Sequence, residues 1–225
     1  MKLIVDFAGV TQIQELYRYF PVDGVTTNPT ILAREGKNPY EVLTAIRECI
    51  GDDTDLHVQV ISDKAETMLE EAKRIRSVLG SNTYIKIPVT REGLRAIRMM
   101  KKNNYMVTAT AIYNALQGYL AGLAEADFAA PYINRIDNLG ADGVQVAKDI
   151  HDIFRSGNMP TQVLAASFKN SQQVLELAKY GIAAATVSPD VIEGMLRIDA
   201  AQGAVGVFRK DFEKLCGPGK TMKDC

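Results

Sequence analysis

A lysine stands in the middle of an apolar run in "SNTYIKIPVT", residues Ser81 to Thr90. Lysine is rarely buried without a partner, and a desolvated amine gives up its proton and becomes a nucleophile. Side chains alternate along a strand, so Lys86 shares a face with Tyr84 and Pro88 while Ile85 and Ile87 point the other way. Two readings compete. On an edge strand the ammonium sits in water. Inside a closed barrel the isoleucines pack outward on helices and the lysine faces the interior. There it can add to a ketone, lose water, and leave an iminium that acts as an electron sink for breaking or making the adjacent C–C bond.

Such chemistry needs a proton shuttle for the carbinolamine and for the departing alkoxide. Asp6 or Tyr132 can supply it, directly or through a water fixed by Gln59 and Thr110. These residues, together with Thr27, Asn28, Thr108, Arg135, Ser167 and Lys169, fall towards the C-terminal ends of short apolar runs. Arg135, Ser167 and Lys169 suit an anion on the substrate, since a guanidinium fork and a hydroxyl match phosphate oxygens. Each position also has a structural reading. Asp6 and Ser167 can cap the helices that follow, Thr27-Asn28-Pro29 has ordinary turn chemistry, Gln59 can lie on an exposed strand face, and Arg135 can pair with Asp137. The chemistry requires no metal and no cofactor. The two histidines, His57 and His151, lie far from each other and from any cysteine or carboxylate cluster at ligand spacing, and both read as structural.

The elements that must position these groups follow from periodicity. Eight β-branched runs read as strands: 2–7, 24–28, 56–61, 83–89, 106–113, 128–135, 161–168 and 183–188. Between them lie segments with helical spacing. In 63–79, Ala65, Met68, Leu69, Ala72, Ile75 and Leu79 recur three or four apart, with Ser62 and Asp63 as capping candidates and Gly80 as the stop. The same pattern predicts helices over 91–103, 114–126, 140–157, 170–181 and 189–198. Eightfold β/α alternation predicts a (β/α)8 TIM barrel over 1–203, a single domain, with an extra C-terminal helix and tail over 204–225. A doubly wound sheet is the competitor, but no GxGxxG or GxxxxGK[ST] follows a strand. In a barrel, the C-terminal strand ends carry the site.

Composition narrows the function classes. The 225 residues are 47% apolar and 24% charged, ordinary for a soluble globular chain long enough to hold its own core. A net charge of -1 with both signs interspersed gives no field for nucleic acid or an anionic membrane. Three cysteines, Cys49, Cys216 and Cys225, show no metal-ligand spacing and fit a reducing compartment. The start is too polar for a signal segment and no run approaches a membrane span, so a cytoplasmic location is expected.

At this point the motifs "VDGVTTNPTIL", "YIKIPVTREGL", "APYINRID" and "VLAASFKN" resemble those of the transaldolase family, including its short branch of fructose-6-phosphate aldolases. The resemblance runs in order from Asp6 to at least Pro189. It implies a (β/α)8 barrel with the Schiff-base lysine, Lys86, on the fourth strand and Asp6 as acid/base. It implies Asn28 on substrate hydroxyls, Gln59, Thr110 and Tyr132 around a catalytic water, and Arg135 and Ser167 on a distal phosphate or sulfonate. Lys169 stands near where larger transaldolases carry a second arginine. Gln59 and Tyr132 are similar to the aldolase branch, where transaldolases proper have glutamate and phenylalanine. Thr108 departs from that pattern, standing where aldolases have leucine and transaldolases asparagine, and Ala109 replaces a glycine.

The expectation is a class I aldolase that cleaves a ketose phosphate such as fructose 6-phosphate to dihydroxyacetone and an aldehyde phosphate. The alternatives are a transaldolase, a metal-dependent aldolase, and a non-catalytic sugar-phosphate-binding barrel. The family resemblance further implies a homo-oligomer, a pentamer or decamer; the helix around Phe208 and Phe212 can serve as the contact or close this chain's own barrel.

Overall fold

A computed structural model of the chain describes residues 1–197 and 199–225. Ile198, the last residue of the helix expected over 189–198, lies outside the described residues. Eight strands run in chain order: β1 (Lys2–Asp6), β2 (Gly24–Thr26), β3 (Asp55–Gln59), β4 (Thr83–Pro88), β5 (Val107–Ile112), β6 (Phe128–Pro131), β7 (Gln162–Ala165) and β8 (Ala184–Val187). All pair in parallel with their chain neighbours, and β1 pairs with β8, so the sheet closes into an eight-stranded barrel. The expected fold is therefore the observed one.

The barrel has two apolar layers because each strand alternates. Val5, Val25, Leu56, Val58, Ile85, Ile87, Ala109 and Val163 point outward into the main core under the helices. Ile4, Tyr84, Phe128, Leu164 and Ala184 point inward and fill the floor. Ile85 and Ile87 are fully buried outward and Lys86 points inward, as the alternation predicts. His57 also belongs to the interior: its ring stacks on Tyr84 at 4.4 Å between centroids and 7° between planes.

The helices are α1 (Val10–Tyr19), α2 (Pro29–Arg34), α3 (Pro39–Ile50), α4 (Ala65–Leu79), α5 (Arg91–Lys102), α6 (Ala115–Leu123), α7 (Ile133–Asp137), α8 (Gly143–Ser156), α9 (Ser171–Tyr180), α10 (Pro189–Gly194) and α11 (Asp199–Cys216). Side-chain caps begin many of them. Asn28, Thr90, Asn114, Asp142 and Asn170 each accept from the backbone amide three residues on, and so fix where the chain turns from strand to helix. The cap expected from Ser62 or Asp63 is not made. Helix α4 follows Lys64, the Ala65 amide donates to Glu92 Oε2 at 3.0 Å, and the Ser62 hydroxyl is taken by Glu71. Gly80 ends α4 at φ +87°, where only glycine is unstrained.

Several elements differ from the sequence reading. The sixth strand, expected to run to Arg135, ends at Pro131, because Ile133 and Asn134 donate their amides to Ala166 and Ser167 and the chain turns into α7. Gly143 permits that turn, since a Cβ there would lie 2.2 Å from the Ile133 carbonyl oxygen. Between β2 and β3 lie two helices, α2 and α3, that the sequence reading does not resolve. The C-terminal helix starts at Asp199, so position 204 falls inside it.

Arg47, on α3, holds the opposite, N-terminal face of the barrel. It is buried, and its guanidinium donates to Leu79 O, Gly51 O, Thr54 O, Asn82 O and Thr83 Oγ1 at 2.8 to 3.3 Å. One side chain thereby ties the loops entering β3 and β4. Removing it strands buried carbonyls, so Arg47→Met is expected to cost roughly 3 kcal/mol or more of stability. A lysine there cannot reproduce the fork and should recover little. Urea unfolding of both variants checks this.

Candidate active site

Lys86 is only 4% exposed, yet among the described residues no carboxylate lies within 4.0 Å of it. Its Nζ donates to the Thr27 carbonyl at 2.8 Å. Burial pushes its pKa below the ordinary 10.5, while the negative charge of Asp6 pushes it back up. Asp6 ends β1 in the same interior. Its Oδ1 accepts from Thr26 Oγ1 at 2.7 Å, and Thr26 Oγ1 lies 2.6 Å from Thr186 Oγ1. A hydroxyl has one proton; with Thr26's spent on Asp6, Thr186 must donate to Thr26. Burial raises the Asp6 pKa above 3.8, against the lowering effects of Lys86, the Thr26 hydrogen bond, Arg135 and Arg34.

On the other side of Lys86, the register pairs it with Gln59 of β3 and Thr108 of β5. The Gln59 Oε1 is buried with no hydrogen-bond partner among the described residues, an acceptor that suits a water or a substrate hydroxyl. Thr110 Oγ1 and the Tyr132 hydroxyl lie 2.9 Å apart. Burial raises the phenol's pKa, and the Arg135 guanidinium, 4.7 Å above its ring, draws it back. Arg135 itself also donates to the Tyr113 hydroxyl at 3.4 Å, and the Tyr113 ring meets Tyr132 edge-on. It makes no pair with Asp137, whose oxygens accept from Gly143 and Gln173 instead.

Backbone irregularities aim these groups. The β5–β6 register shifts between Ala109 and Ile112, with Ala111 at φ +56°, and Ser167 sits at φ +62°. Left-handed non-glycine residues cost about 1–3 kcal/mol each, and both lie at the rim that bears Thr110 and Tyr132.

The remaining sequence-picked residues divide. Asn28 lines the mouth cavity, but its Oδ1 is spent capping α2, which leaves only its amide protons for a ligand. The Thr27 hydroxyl donates to the His57 carbonyl, so that residue's contribution is its own carbonyl on Lys86. The Thr108 hydroxyl is 2.9 Å from His57 Nδ1, turned to the barrel floor. Ser167 is half-buried at the rim, and its carbonyl accepts from Asn134. Lys169 is exposed and outside the mouth cavity. That cavity, about 350 Å3, is lined by Asp6, Asn28, Arg34, Arg135, Ser188 and Asp190 among others. Arg34 escapes the sequence reading because it lies on α2 and not at a strand end. Among the described residues no group of three His, Cys, Asp or Glu side chains is placed to hold a metal.

A buried amine held by a carbonyl, a half-buried carboxyl nearby and a phenol across the pocket can together form and hydrolyse an imine. Fold and site define a TIM barrel whose polar groups converge on an interior lysine at the C-terminal strand ends. The sequence model of the transaldolase/fructose-6-phosphate aldolase family matches residues 3–218, and the chain belongs to that family. It is an enzyme of the aldolase/transaldolase kind. Among solved structures it is similar to a thiamine phosphate pyrophosphorylase from Pyrococcus furiosus, with a TM-score of 0.57 and 16% identity over 83% of this chain and 85% of that one. That likeness shows the barrel fold alone.

Lys86 and Asp6 set opposite pH dependences of stability. Lys86 binds fewer protons folded than unfolded between its lowered pKa and 10.5, so stability rises with pH across that window. Asp6 binds more protons folded than unfolded between 3.8 and its raised pKa, so its contribution falls as pH climbs through that range. Asp6→Asn removes the charge that holds the proton on Lys86, and the rising limb should begin at lower pH. Unfolding free energies over a pH series measure this; an unmoved onset would show that Asp6 does not govern the amine.

Proposed function

We propose that the chain is a class I aldolase that reversibly cleaves a ketose phosphate such as fructose 6-phosphate to dihydroxyacetone and an aldehyde phosphate. The observation that carries this reading is the Tyr132 phenol, half-buried at the rim and bonded to Thr110. Neutral Lys86 adds to the C2 carbonyl; the carbinolamine takes a proton on oxygen and expels water, leaving the iminium. Asp6, directly or through a water held by Gln59, removes the C4 hydroxyl proton. The C3–C4 bond then breaks with its electron pair moving into the iminium, and the aldehyde phosphate departs from an enamine. Protonation at C3 restores an iminium, and water releases dihydroxyacetone and the free amine.

Release or transfer of the three-carbon unit depends on how quickly the enamine is protonated. A phenol that carries its own proton beside the pocket supports release. Thr108, the departure that favours transfer, has its hydroxyl already paired with His57, which removes part of that argument. The distal anion would meet Arg135 at the mouth. No helix among the described residues is long and apolar enough to cross a membrane, which fits the small polar substrate and the cytoplasmic setting we propose. We further propose a homo-oligomer. Helix α11 buries none of its residues, and Val205, Val207, Phe208 and Leu215 are exposed along it.

With fructose 6-phosphate alone, free glyceraldehyde 3-phosphate should accumulate without an acceptor. If none forms until erythrose 4-phosphate is added, the transaldolase reading replaces this one. Borohydride reduction with the ketose should fix a stable adduct on Lys86, and Lys86→Met should lose both adduct and turnover. No adduct on that residue would sink the Schiff-base mechanism.

A further inference from the structure

Two guanidinium groups reach the mouth of the barrel. Arg135 comes from α7; Arg34 comes from α2, whose start is fixed by the Asn28 cap and Pro29 so that the helix leaves β2 at the rim. Arg34 lines the same cavity as Asp6, Asn28, Arg135 and Asp190, and its charge is felt at the Asp6 carboxyl together with that of Arg135. Among the described residues neither arginine has a carboxylate within 4.0 Å, although Asp190 lines the cavity with them. Lys169, the second cation that the strand-end pattern offers, is not part of that cavity.

We propose that Arg34 is a specificity-determining residue that joins Arg135 in a two-arginine clamp on the tetrahedral oxyanion at the end of the ketose far from Lys86. The inference rests on the sugar-phosphate reading above. Arg135 lies over the Tyr132 ring and against the Tyr113 hydroxyl, so it presents its fork in a fixed plane. One fork serves two oxygens of an anion that carries three. Asp6 and Asp190 also bring two carboxyls to the cavity wall, and each, when ionised, repels an incoming anion. A second arginine supplies both the missing donors and the missing positive charge. Arg34 is exposed and unpaired, so it needs to break no ion pair to swing onto the ligand. The clamp holds phosphate and sulfonate by the same chemistry.

The test compares Arg34→Ala and Arg34→Lys with wild type on fructose 6-phosphate, its 6-sulfonate counterpart and unsubstituted fructose. The preference in kcat/KM for the anionic ketose over fructose should fall on the order of tenfold in Arg34→Ala, through KM, with Arg34→Lys in between. An unchanged preference for both anionic ketoses overturns the clamp; a loss confined to one of them supports it and names the anion. A second readout is free of chemistry. Inorganic phosphate titrated calorimetrically should bind wild type and Lys86→Met alike and Arg34→Ala on the order of tenfold more weakly. If borohydride traps no ketose on Lys86 while this weakening appears, the aldolase reading fails and the clamp stands. Equal phosphate binding by Arg34→Ala overturns the clamp whatever happens at Lys86.

Discussion

The bond from Lys86 Nζ to the Thr27 carbonyl is the constraint on which the site depends. A carboxylate in that place would hold the nitrogen too, but only by locking it as an ammonium. A carbonyl accepts from an ammonium or from a neutral amine, so it fixes the position of the nitrogen without fixing its proton. Burial then favours the neutral form, and Asp6 opposes burial from beyond ion-pair distance. The orientation of the amine and its charge are therefore set by different partners. The Thr27 carbonyl is available for this task because the chain leaves β2 there, with the Thr27 amide on the His57 carbonyl and Asn28 capping α2 one residue later.

Asp6 is organised by the same separation. Its proton affinity is raised by burial, and a chain from Thr186 through Thr26 delivers one directed hydrogen bond to Oδ1. That hydrogen bond stabilises the carboxylate, while the low dielectric around it penalises the charge. Burial outweighs the hydrogen bond, so this carboxyl holds a proton more readily than a solvated aspartate does. Tyr132 stands across the pocket under the same regime, a phenol made harder to ionise by burial and eased back by its bond to Thr110. The lysine thus lies between a carboxyl and a phenol that burial makes harder to ionise, while burial makes the lysine itself easier to deprotonate.

Much of this was legible in the amino-acid order because the barrel imposes a period of two on every strand. Ile85 and Ile87 had to face helices, so Lys86 had to face inward, and all eight strands could be found by the same rule. Asp6, Gln59 and Thr110 were legible as polar residues at strand ends. Legibility stopped where side chains depart from that pattern. Arg34 and Arg47 lie on helices between β2 and β3, one at the rim and one buried, and nothing in local spacing separates them from solvated surface arginines. Lys169 looked as favourable as Arg135 because both follow a strand, yet the exposed stretch before α9 leaves it outside the mouth cavity. Thr27 and Thr108 were found as residues but not as contacts, since which atom of a threonine does the work is decided by neighbours from other strands. The turn into α7 rests on amides given to β7's extension, a pairing between segments some 30 residues apart in sequence.

The barrel floor completes the electrostatic argument. His57 is fully buried beneath the lysine layer, stacked on Tyr84 and joined through Nδ1 to Thr108, and its pKa is pushed well below 6.5 by burial and by Lys86. It is therefore neutral, and its Nε2 has no partner among the described residues. A bare acceptor nitrogen is a cheaper orphan than a bare N–H, which favours the tautomer with the proton on Nδ1, donated to Thr108. In that tautomer the floor offers Lys86 no positive charge and no acidic proton. The polar chemistry is confined to the layer above, between Asp6, Gln59, Thr110 and Tyr132. An imidazolium there would repel the ammonium and the iminium alike, so the burial that keeps His57 neutral also preserves the charge balance on which any iminium at Lys86 depends.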